Sequence, residues 1–261
     1  MRGALTGAAH PIAGSPSSPG SGGARRHDTT AARGEAQTSK GAALADAISP
    51  QADLLVATGI EKSFGRGLWP LRRHQPVLRG ADLTLRAGEV VGLVGENGSG
   101  KSTLMKILVG ALGADSGTVT RSGRLGYCPQ RPLVYGRLTC DEHFDLFGHA
   151  YAMTDRAIVT SRAALYDALG FSRCAGTRAD QLSGGTLAKL NLGIALLADP
   201  DLLLLDEPYA GFDWDTYQKF WTLVAERRKL GRSVLIVSHF VVDQDRFDRI
   251  VEVKDGLAVS R

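Results

Sequence analysis

A short apolar strand that runs into a glycine-rich loop and then a helix constrains this chain more than any other feature. The stretch 89–94 is nearly all apolar, and Gly95–Ser102 follows it with the spacing G-x-x-x-x-G-K-[ST]. A helix is predicted from about Gly100 to Ala111. Strands this apolar are typical of parallel sheets covered on both faces, so the chain is expected to have an α/β fold.

The same loop predicts a phosphate-binding site. Glycines let backbone N–H groups turn inward without a Cβ clash, and the helix N-terminus adds partial positive charge. Lys101 would place a full charge on the β- and γ-phosphates of a nucleotide, and Ser102 would offer a hydroxyl to Mg²⁺. The residues expected to bind nucleotide here are Gly95, Asn97, Gly98, Ser99, Gly100, Lys101, Ser102 and Thr103.

A second apolar strand delivers two carboxylates. Four leucines at 202–205 precede Asp206 and Glu207. Ligand sites in open parallel sheets lie at the carboxyl ends of the strands, where these two residues would stand. Asp206 is expected to hold Mg²⁺, directly or through water, and Glu207 to act as general base toward the attacking water.

The remaining periodicity predicts further alternation of strands and helices. Residues 139–170 indicate a helix, with a capping box formed by Thr139 and Glu142 and a stop at Gly170. Such alternation favours a mostly parallel sheet covered by helices. The other predicted elements are strands at 54–57, 77–78 and 83–85, a loop at 66–76, a helix at 184–197, a strand at 202–206, a helix at 214–229, a strand at 233–238, a short helix from Phe240 and a strand at 250–253.

The segment Leu182-Ser183-Gly184-Gly185-Thr186 resembles the signature motif of the ABC ATPase family, usually written LSGGQ. Ser183 is a good N-cap, and two glycines then open a helix whose N-terminus can bind an anion. Thr186 stands where the family usually has Gln, so Thr186 is not expected to contact the ligand directly.

The resemblance covers residues 53–260 and implies a P-loop NTPase fold. It implies a mostly parallel sheet flanked by helices, an antiparallel β subdomain, and a helical subdomain at about 131–181. Ser183, Gly184 and Gly185 would face the γ-phosphate of ATP bound to a second subunit.

Other residues match family landmarks, and their roles are implied by the resemblance alone. Gln130 would contact Mg²⁺ or the attacking water, and His239 would contact the γ-phosphate. Asp213 would lie at the subunit boundary. Phe64 occupies the place of the aromatic residue that stacks on adenine, where the family more often has Tyr. The alternative for Phe64 is an ordinary core or loop position.

The implied function is that of the ATP-binding and ATP-hydrolysing subunit of an ABC transporter, with ATP and Mg²⁺. Its expected partners are a second nucleotide-binding subunit, in a homodimer or heterodimer, and a transmembrane permease contacted near residues 138–142. The expected location is the cytoplasmic face of the cell membrane, reached through that permease. Export is favoured over import because nothing resembling a C-terminal regulatory domain follows the last strand.

Three alternatives remain open. A soluble ABC ATPase could act in an assembly or repair complex without a transporter. A P-loop kinase could phosphorylate a small molecule, but it would leave residues 182–185 and the pair Asp206-Glu207 without a role. An inactive nucleotide sensor is disfavoured because every expected catalytic position is filled.

Composition and charge limit the remaining possibilities for domain organisation, partners and location. Gly, Ala, Ser, Pro and Thr fill 34 of residues 1–50, which predicts a disordered tail before a domain at 51–261. The formal net charge is +4, of which the tail carries +2, so +2 spread over 211 residues is too little for a nucleic-acid interface. No run of about 18 apolar residues predicts a membrane span. Three cysteines without zinc spacing favour a reducing, cytosolic compartment.

Overall fold

The computed structural model describes residues 52–66, 73–238 and 245–260. The predicted tail and the start of the predicted helix from Phe240 therefore lie outside the described residues. In chain order the elements are β1 (Asp53–Arg66), β2 (Arg73–Arg86), β3 (Val90–Val94), α1 (Lys101–Leu108), β4 (Ser116–Arg121), β5 (Leu125–Cys128), α2 (Cys140–Ala150), α3 (Asp155–Leu169), α4 (Gly184–Leu196), β6 (Leu202–Asp206), α5 (Trp214–Lys229), β7 (Ser233–Val237), β8 (Arg249–Lys254) and β9 (Leu257–Ser260).

A six-stranded sheet forms the centre, with the order β5-β6-β7-β3-β8-β9. Neighbouring strands are parallel from β5 to β8, and β9 is antiparallel to β8. Every residue of β6 and β7 is buried. Such continuous burial arises because helices or a second sheet cover both faces, so no position along the strand can remain polar without cost.

Alternate residues of β6 contribute to two separate cores. Leu203 and Leu205 pack with the buried faces of α2–α5 on one side. Leu202 and Leu204 pack on the other side with α1 and the strands β1 and β2. Because successive side chains of a strand point to opposite faces, a single run of leucines packs against the helical layer on one face and a second sheet on the other.

A three-stranded antiparallel sheet with the order β2-β1-β4 covers that second face. The predicted loop at 66–76 is wrong in part, because β2 already begins at Arg73 and pairs with the end of β1. Phe64 lies opposite Gln75, and Pro76 lies opposite Ser63. Pro76 fits here since β2 is an edge strand of this sheet, where a missing N–H donor is tolerated.

The helix predicted over residues 139–170 is divided into α2 and α3. Its N-terminal capping box is confirmed: the Thr139 hydroxyl accepts from the Glu142 N–H at 3.2 Å, and the Glu142 carboxylate accepts from the Thr139 N–H at 2.7 Å. The predicted stop at Gly170 is confirmed by its left-handed φ of 65°. The break lies before Thr154, whose hydroxyl caps α3 by accepting from the Ala157 N–H at 3.3 Å.

The strands β4, β5 and β9 were not predicted from the sequence, because each is short and only partly buried. Where the other predicted strands and helices are described, the structure places them within a few residues of the predicted bounds, except that β1 and β2 are longer. Within the described ranges, no helix is both long enough and apolar enough to cross a bilayer.

One close approach between β5 and α4 generates a stability prediction. A Cβ added to Gly126 would lie 2.2 Å from the carbonyl oxygen of Ala195, whereas one added to Gly113 would meet nothing within 4 Å. Gly126→Ala is therefore expected to lower the free energy of unfolding by about 1–3 kcal/mol, measured by urea denaturation. Gly113→Ala is the matched control, with an expected change within about 0.5 kcal/mol. Equal stability of the two variants would contradict the packing described.

Candidate functional site

Four parallel strands end at one edge of the six-stranded sheet, and predicted site residues follow each of them. β3 ends at Val94 before the glycine loop, and β6 ends at Asp206. β5 is followed closely by Gln130, and β7 is followed by Ser238. Because β5, β6, β7 and β3 are neighbours in this order, their carboxyl ends concentrate the predicted chemistry at one edge.

The glycine loop has a backbone that side chains other than glycine rarely allow. Gly95 has φ of 146°, and a Cβ there would lie 2.4 Å from the carbonyl oxygen of Val253. Gly100 has φ of 111° and is the N-cap of α1, and it provides no side-chain cap. The first N–H groups of α1 therefore remain available as donors, which is the arrangement expected of an anion-binding helix start.

Lys101 folds back over this loop. Its Nζ donates to the carbonyl oxygens of Gly95 at 2.7 Å and Glu96 at 2.9 Å. Burial lowers the pKa of Lys101, while the carboxylates of Glu207 and Asp206 act in the opposite direction. A partly desolvated ammonium group is thus held between loop carbonyls and two acidic side chains, where its charge is poorly screened by water.

Asp206 is buried at the end of β6 and is 3% exposed. The Ser102 hydroxyl forms a hydrogen bond with its carboxylate, and its Oδ1 atom is buried without a hydrogen-bond partner among the described residues. Burial raises the pKa of Asp206, and the neighbouring Glu207 raises it further. A buried oxygen of this kind needs a cation or water, so Asp206 and Ser102 fit a hard divalent cation such as Mg²⁺.

Glu207 has a left-handed backbone with φ of 53°, which costs a non-glycine residue roughly 1–3 kcal/mol. Its N–H donates to the carbonyl oxygen of Val237 at the end of β7, at 3.2 Å. The tight turn therefore begins where two neighbouring strands end, and it directs the chain away from the sheet. A strained residue of this type beside a cleft is a functional candidate.

An open cleft of about 520 Å³ joins these elements. It brings together eight of the predicted residues, and it adds Val77 from β2, which was not among the predicted site residues. The predicted residues that line it are Asn97, Gly98, Gly100, Lys101, Ser102, Thr103, Gln130 and Glu207. Gly95 and Ser99 belong to the same loop, and Ser99 lines an adjacent cleft of about 360 Å³.

Asn191 was also missed. It is a buried polar residue of α4, and its Nδ2 donates to the carbonyl oxygen of Pro129 at 2.8 Å and to the Cys128 Sγ at 3.1 Å. This contact fixes the backbone just before Gln130. The signal in the sequence was a lone amide within an otherwise apolar stretch of a predicted helix.

Phe64 does not line the cleft of about 520 Å³. Its ring is 43% exposed, and the Lys62 Nζ lies 5.9 Å from the ring centre. The exposed ring face would permit stacking. Its proposed contact with adenine remains a prediction.

The Ser183 motif lies at the exposed start of α4 and contributes nothing to the cleft of the same chain. The Ser183 hydroxyl caps the helix by accepting from the Thr186 N–H at 3.3 Å. A Cβ on Gly185 would lie 2.6 Å from the carbonyl oxygen of Gly211, so the loop before α5 packs directly on the start of α4. The Asp213 carboxylate ends this loop by accepting from the Thr216 N–H at 2.7 Å, which lowers the pKa of Asp213.

His239 lies outside the described residues, and its predicted contact with a γ-phosphate stays a prediction. The position before it is described. Ser238 is buried, and its hydroxyl accepts from the Tyr209 hydroxyl at 2.6 Å. Tyr209 stands two residues after Glu207, so this bond ties the turn after β6 to the end of β7.

A glycine loop between a parallel strand and a helix, with a buried aspartate on another strand of the same sheet, defines a P-loop NTPase. The family model described as ABC transporter matches residues 78–210, and the chain belongs to that family. The predicted fold class, with its antiparallel sheet and helical layer, is confirmed.

Named relatives share similarity over most of the chain. The Nod factor export ATP-binding protein I of Burkholderia lata is 31% identical over 77% of this chain and 68% of its own length. The protein of the same name from Sinorhizobium fredii is 31% identical over 76% of this chain and 60% of its own length. The linearmycin resistance ATP-binding protein LnrL of Bacillus subtilis is 28% identical over 79% of this chain and 68% of its own length.

Solved structures share the fold. The ATP-binding subunit of an ABC transporter aligns with a TM-score of 0.72 at 24% identity, over 80% of this chain and 89% of its own. A dimeric ATP-binding cassette in a post-hydrolysis state, bound to ADP and Pi, aligns with a TM-score of 0.73 at 23% identity. The alignment covers 79% of this chain and 97% of that one.

The buried charge of Asp206 generates a prediction about the metal-free chain. Asp206→Asn removes a buried negative charge beside Glu207, so the thermal midpoint without Mg²⁺ is expected to rise; a gain of roughly 1 kcal/mol corresponds to about 2–4 °C. The same substitution should abolish any further rise on adding Mg²⁺. Asp167→Asn, which changes an exposed carboxylate on α3, is the control. A lower midpoint for Asp206→Asn in the absence of metal would contradict this description of the site.

Proposed function

We propose that this chain is the ATP-binding and ATP-hydrolysing subunit of an ABC transporter and that it drives a separate membrane protein. The observation that carries the proposal is the meeting of Lys101, Ser102 and Glu207 at a single cleft in a chain of this family. The Lys101 ammonium would bind phosphate, the Ser102 hydroxyl would face a metal ion, and the Glu207 carboxylate would accept a proton.

The loop at 95–103 would bind the triphosphate. Amides at the start of α1 and the Lys101 ammonium donate to phosphate oxygens, and this would replace the carbonyl contacts that Lys101 makes with Gly95 and Glu96. The exchange is favourable because a phosphate carries full negative charge, whereas a carbonyl carries only a partial charge. Asn97 and Thr103 line the same cleft and would add contacts.

Mg²⁺ would be held by Ser102 and Asp206, with Gln130 at the edge of the cleft. When bound, the ion supplies positive charge that stabilises the transferring phosphoryl group. The Asp206 Oδ1, for which the described residues offer no partner, supports this assignment. Asp206 is the last residue of the buried strand β6, which holds its position.

Glu207 would accept the proton of the attacking water. Its turn begins beside the end of β7, and it lines the cleft with Lys101. His239 would contact the γ-phosphate from the segment that follows β7.

A second nucleotide-binding subunit would complete the site. Ser183, Gly184, Gly185 and Asp213 lie outside the cleft of their own chain, and a helix start such as that of α4 can donate N–H groups to an anion. These residues would instead face ATP on the other subunit, of the same or a related chain. ATP would then hold the two subunits together, and loss of the γ-phosphate would weaken the contact.

The helical subdomain at about 131–181 would contact the permease. Between Gln130 and α2, Leu133 is 68% exposed and Tyr135 is also exposed. The buried His143 holds this segment: its Nδ1 bonds the Thr139 carbonyl at 2.7 Å, and its Nε2 accepts from the Tyr135 N–H at 2.9 Å. A fixed apolar surface next to Gln130 would couple nucleotide state to the membrane partner.

Export is the direction that we favour, because several relatives are named for export or resistance. The transported substrate is left open. The membrane partner would place the chain at the cytoplasmic face of the membrane. A soluble assembly or repair role and a small-molecule kinase are less well supported, since these relatives are named as ATP-binding proteins of export or resistance systems.

Two substitutions separate binding from hydrolysis. Glu207→Gln is expected to bind ATP and to lower turnover by about 10²–10⁴-fold, because only proton acceptance is lost. Lys101→Ala should weaken ATP binding by at least roughly tenfold, because a charge-assisted phosphate contact is lost. Phosphate release and equilibrium binding of a fluorescent ATP analogue measure the two effects.

The matched controls are Glu226→Gln and Lys229→Ala, which change exposed charges near the end of α5. Wild-type turnover in Glu207→Gln would show that Glu207 is not the base. Phosphate transferred to an added small molecule, in place of release to water, would support the kinase alternative.

A membrane partner should be recovered with the chain. Purification from detergent-solubilised membranes of the source organism is expected to yield a permease in near-stoichiometric amount, and Leu133→Glu should lower that yield several-fold. Leu230→Glu is the matched control, because Leu230 is 74% exposed at the end of α5. Recovery only in the soluble fraction, with a soluble complex, would support the assembly or repair alternative.

A further inference from the structure

Thr186 contacts the Ser183 hydroxyl twice. The Thr186 N–H donates to the Ser183 Oγ at 3.3 Å, and the two hydroxyl oxygens lie 2.9 Å apart. Ser183 is exposed, whereas Thr186 is half-buried in the first turn of α4. The exposed Ser183 hydroxyl can therefore contact a ligand, and the half-buried Thr186 hydroxyl can form a hydrogen bond with it from the inner side.

The hydrogen-bonding capacity of a serine hydroxyl limits how the pair can be arranged. A hydroxyl has one donor proton and two acceptor lone pairs. The Thr186 N–H occupies one lone pair of the Ser183 oxygen. If the Thr186 hydroxyl donates to the second lone pair, the Ser183 proton is free to point outward. If Ser183 donates to Thr186 instead, that proton is consumed within the chain.

An anion beside the Ser183 hydroxyl favours the arrangement in which the Thr186 hydroxyl donates to Ser183. A phosphate oxygen accepts hydrogen bonds, so it needs the Ser183 proton directed toward it. Donation from Thr186 to Ser183 also polarises the Ser183 hydroxyl and strengthens its outward bond. The approach is open, because a Cβ added to Gly184 would meet nothing within 4 Å.

We propose that Thr186 is a positioning residue that orients the Ser183 hydroxyl toward the terminal phosphate of ATP bound to a second subunit. This inference rests on the proposed function of Ser183 at the subunit boundary. Thr186 acts through Ser183 and does not touch the phosphate itself. Its hydroxyl performs this task at a position where the family usually has glutamine.

ATP-dependent dimerisation of the Glu207→Gln chain tests this role, because slow hydrolysis allows the dimer to accumulate. Thr186→Val replaces the hydroxyl with a methyl group and is expected to raise the ATP concentration for half-maximal dimerisation by about tenfold. Thr186→Ser keeps the hydroxyl and should recover most of that loss. Sedimentation velocity over an ATP titration measures dimerisation, and ATP binding to the monomer is measured in parallel.

The matched control is Thr160→Val on α3, where the exposed threonine hydroxyl donates to the Arg156 carbonyl at 2.9 Å. The same chemical change is made there on another helix, and dimerisation should stay unchanged. Thr186→Ala is the second variant for the case in which Thr186→Val does not fold. It removes the hydroxyl without adding a methyl group to the first turn.

A double-mutant cycle distinguishes positioning from a purely structural role. In a Ser183→Ala background, Thr186→Val should have no further effect on dimerisation, because its action requires the Ser183 hydroxyl. Additive losses would overturn the inference and assign Thr186 to helix stability.

The outcomes also separate this inference from the proposed function. If Glu207→Gln does not dimerise with ATP, the trans site and the role of Thr186 are both overturned. If it dimerises and Thr186→Val behaves identically, only the role of Thr186 is overturned.

Discussion

Opposite charges brought together out of water at one edge of a parallel sheet are the constraint on which the site depends. Lys101 is partly desolvated between loop carbonyls, and Asp206 is buried with one oxygen that has no partner in the part of the chain that the structure describes. Burial opposes both charges, and their mutual attraction offsets part of that cost. An arrangement of this kind is stabilised further by ligands that carry both signs, such as a phosphate together with a metal ion.

The backbone accepts strain to build this edge. Gly95 approaches Val253 too closely for any side chain, and Glu207 adopts a left-handed conformation that is normally unfavourable. The buried leucines of β6 and the fully buried strand β7 hold the framework that maintains these conformations. Because the cores on both faces share β6, movement at the Glu207 turn would disturb packing in both layers.

Predictions from the sequence succeeded where the signal is local. The strand at 202–206, the helix at 214–229 and the capping box at Thr139 depend on residues close together in the chain, and the structure agrees with them. Predictions failed where partners are distant. The end of β1 supplies the pairing that extends β2 into the predicted loop at 66–76, and the sequence of that loop contains no sign of it.

The sequence by itself determined the phosphate loop, the acidic end of β6 and the start of α4, because glycine conformation, charge and capping are properties of short segments. Only the tertiary structure decided which of these meet. Parallel pairing placed Gln130, Lys101 and Glu207 at one cleft, while the start of α4 and Phe64 remained apart from it. The contacts of Asn191 with Pro129 and of Thr186 with Ser183 likewise depend on packing and side-chain direction, which a pattern of residues does not specify.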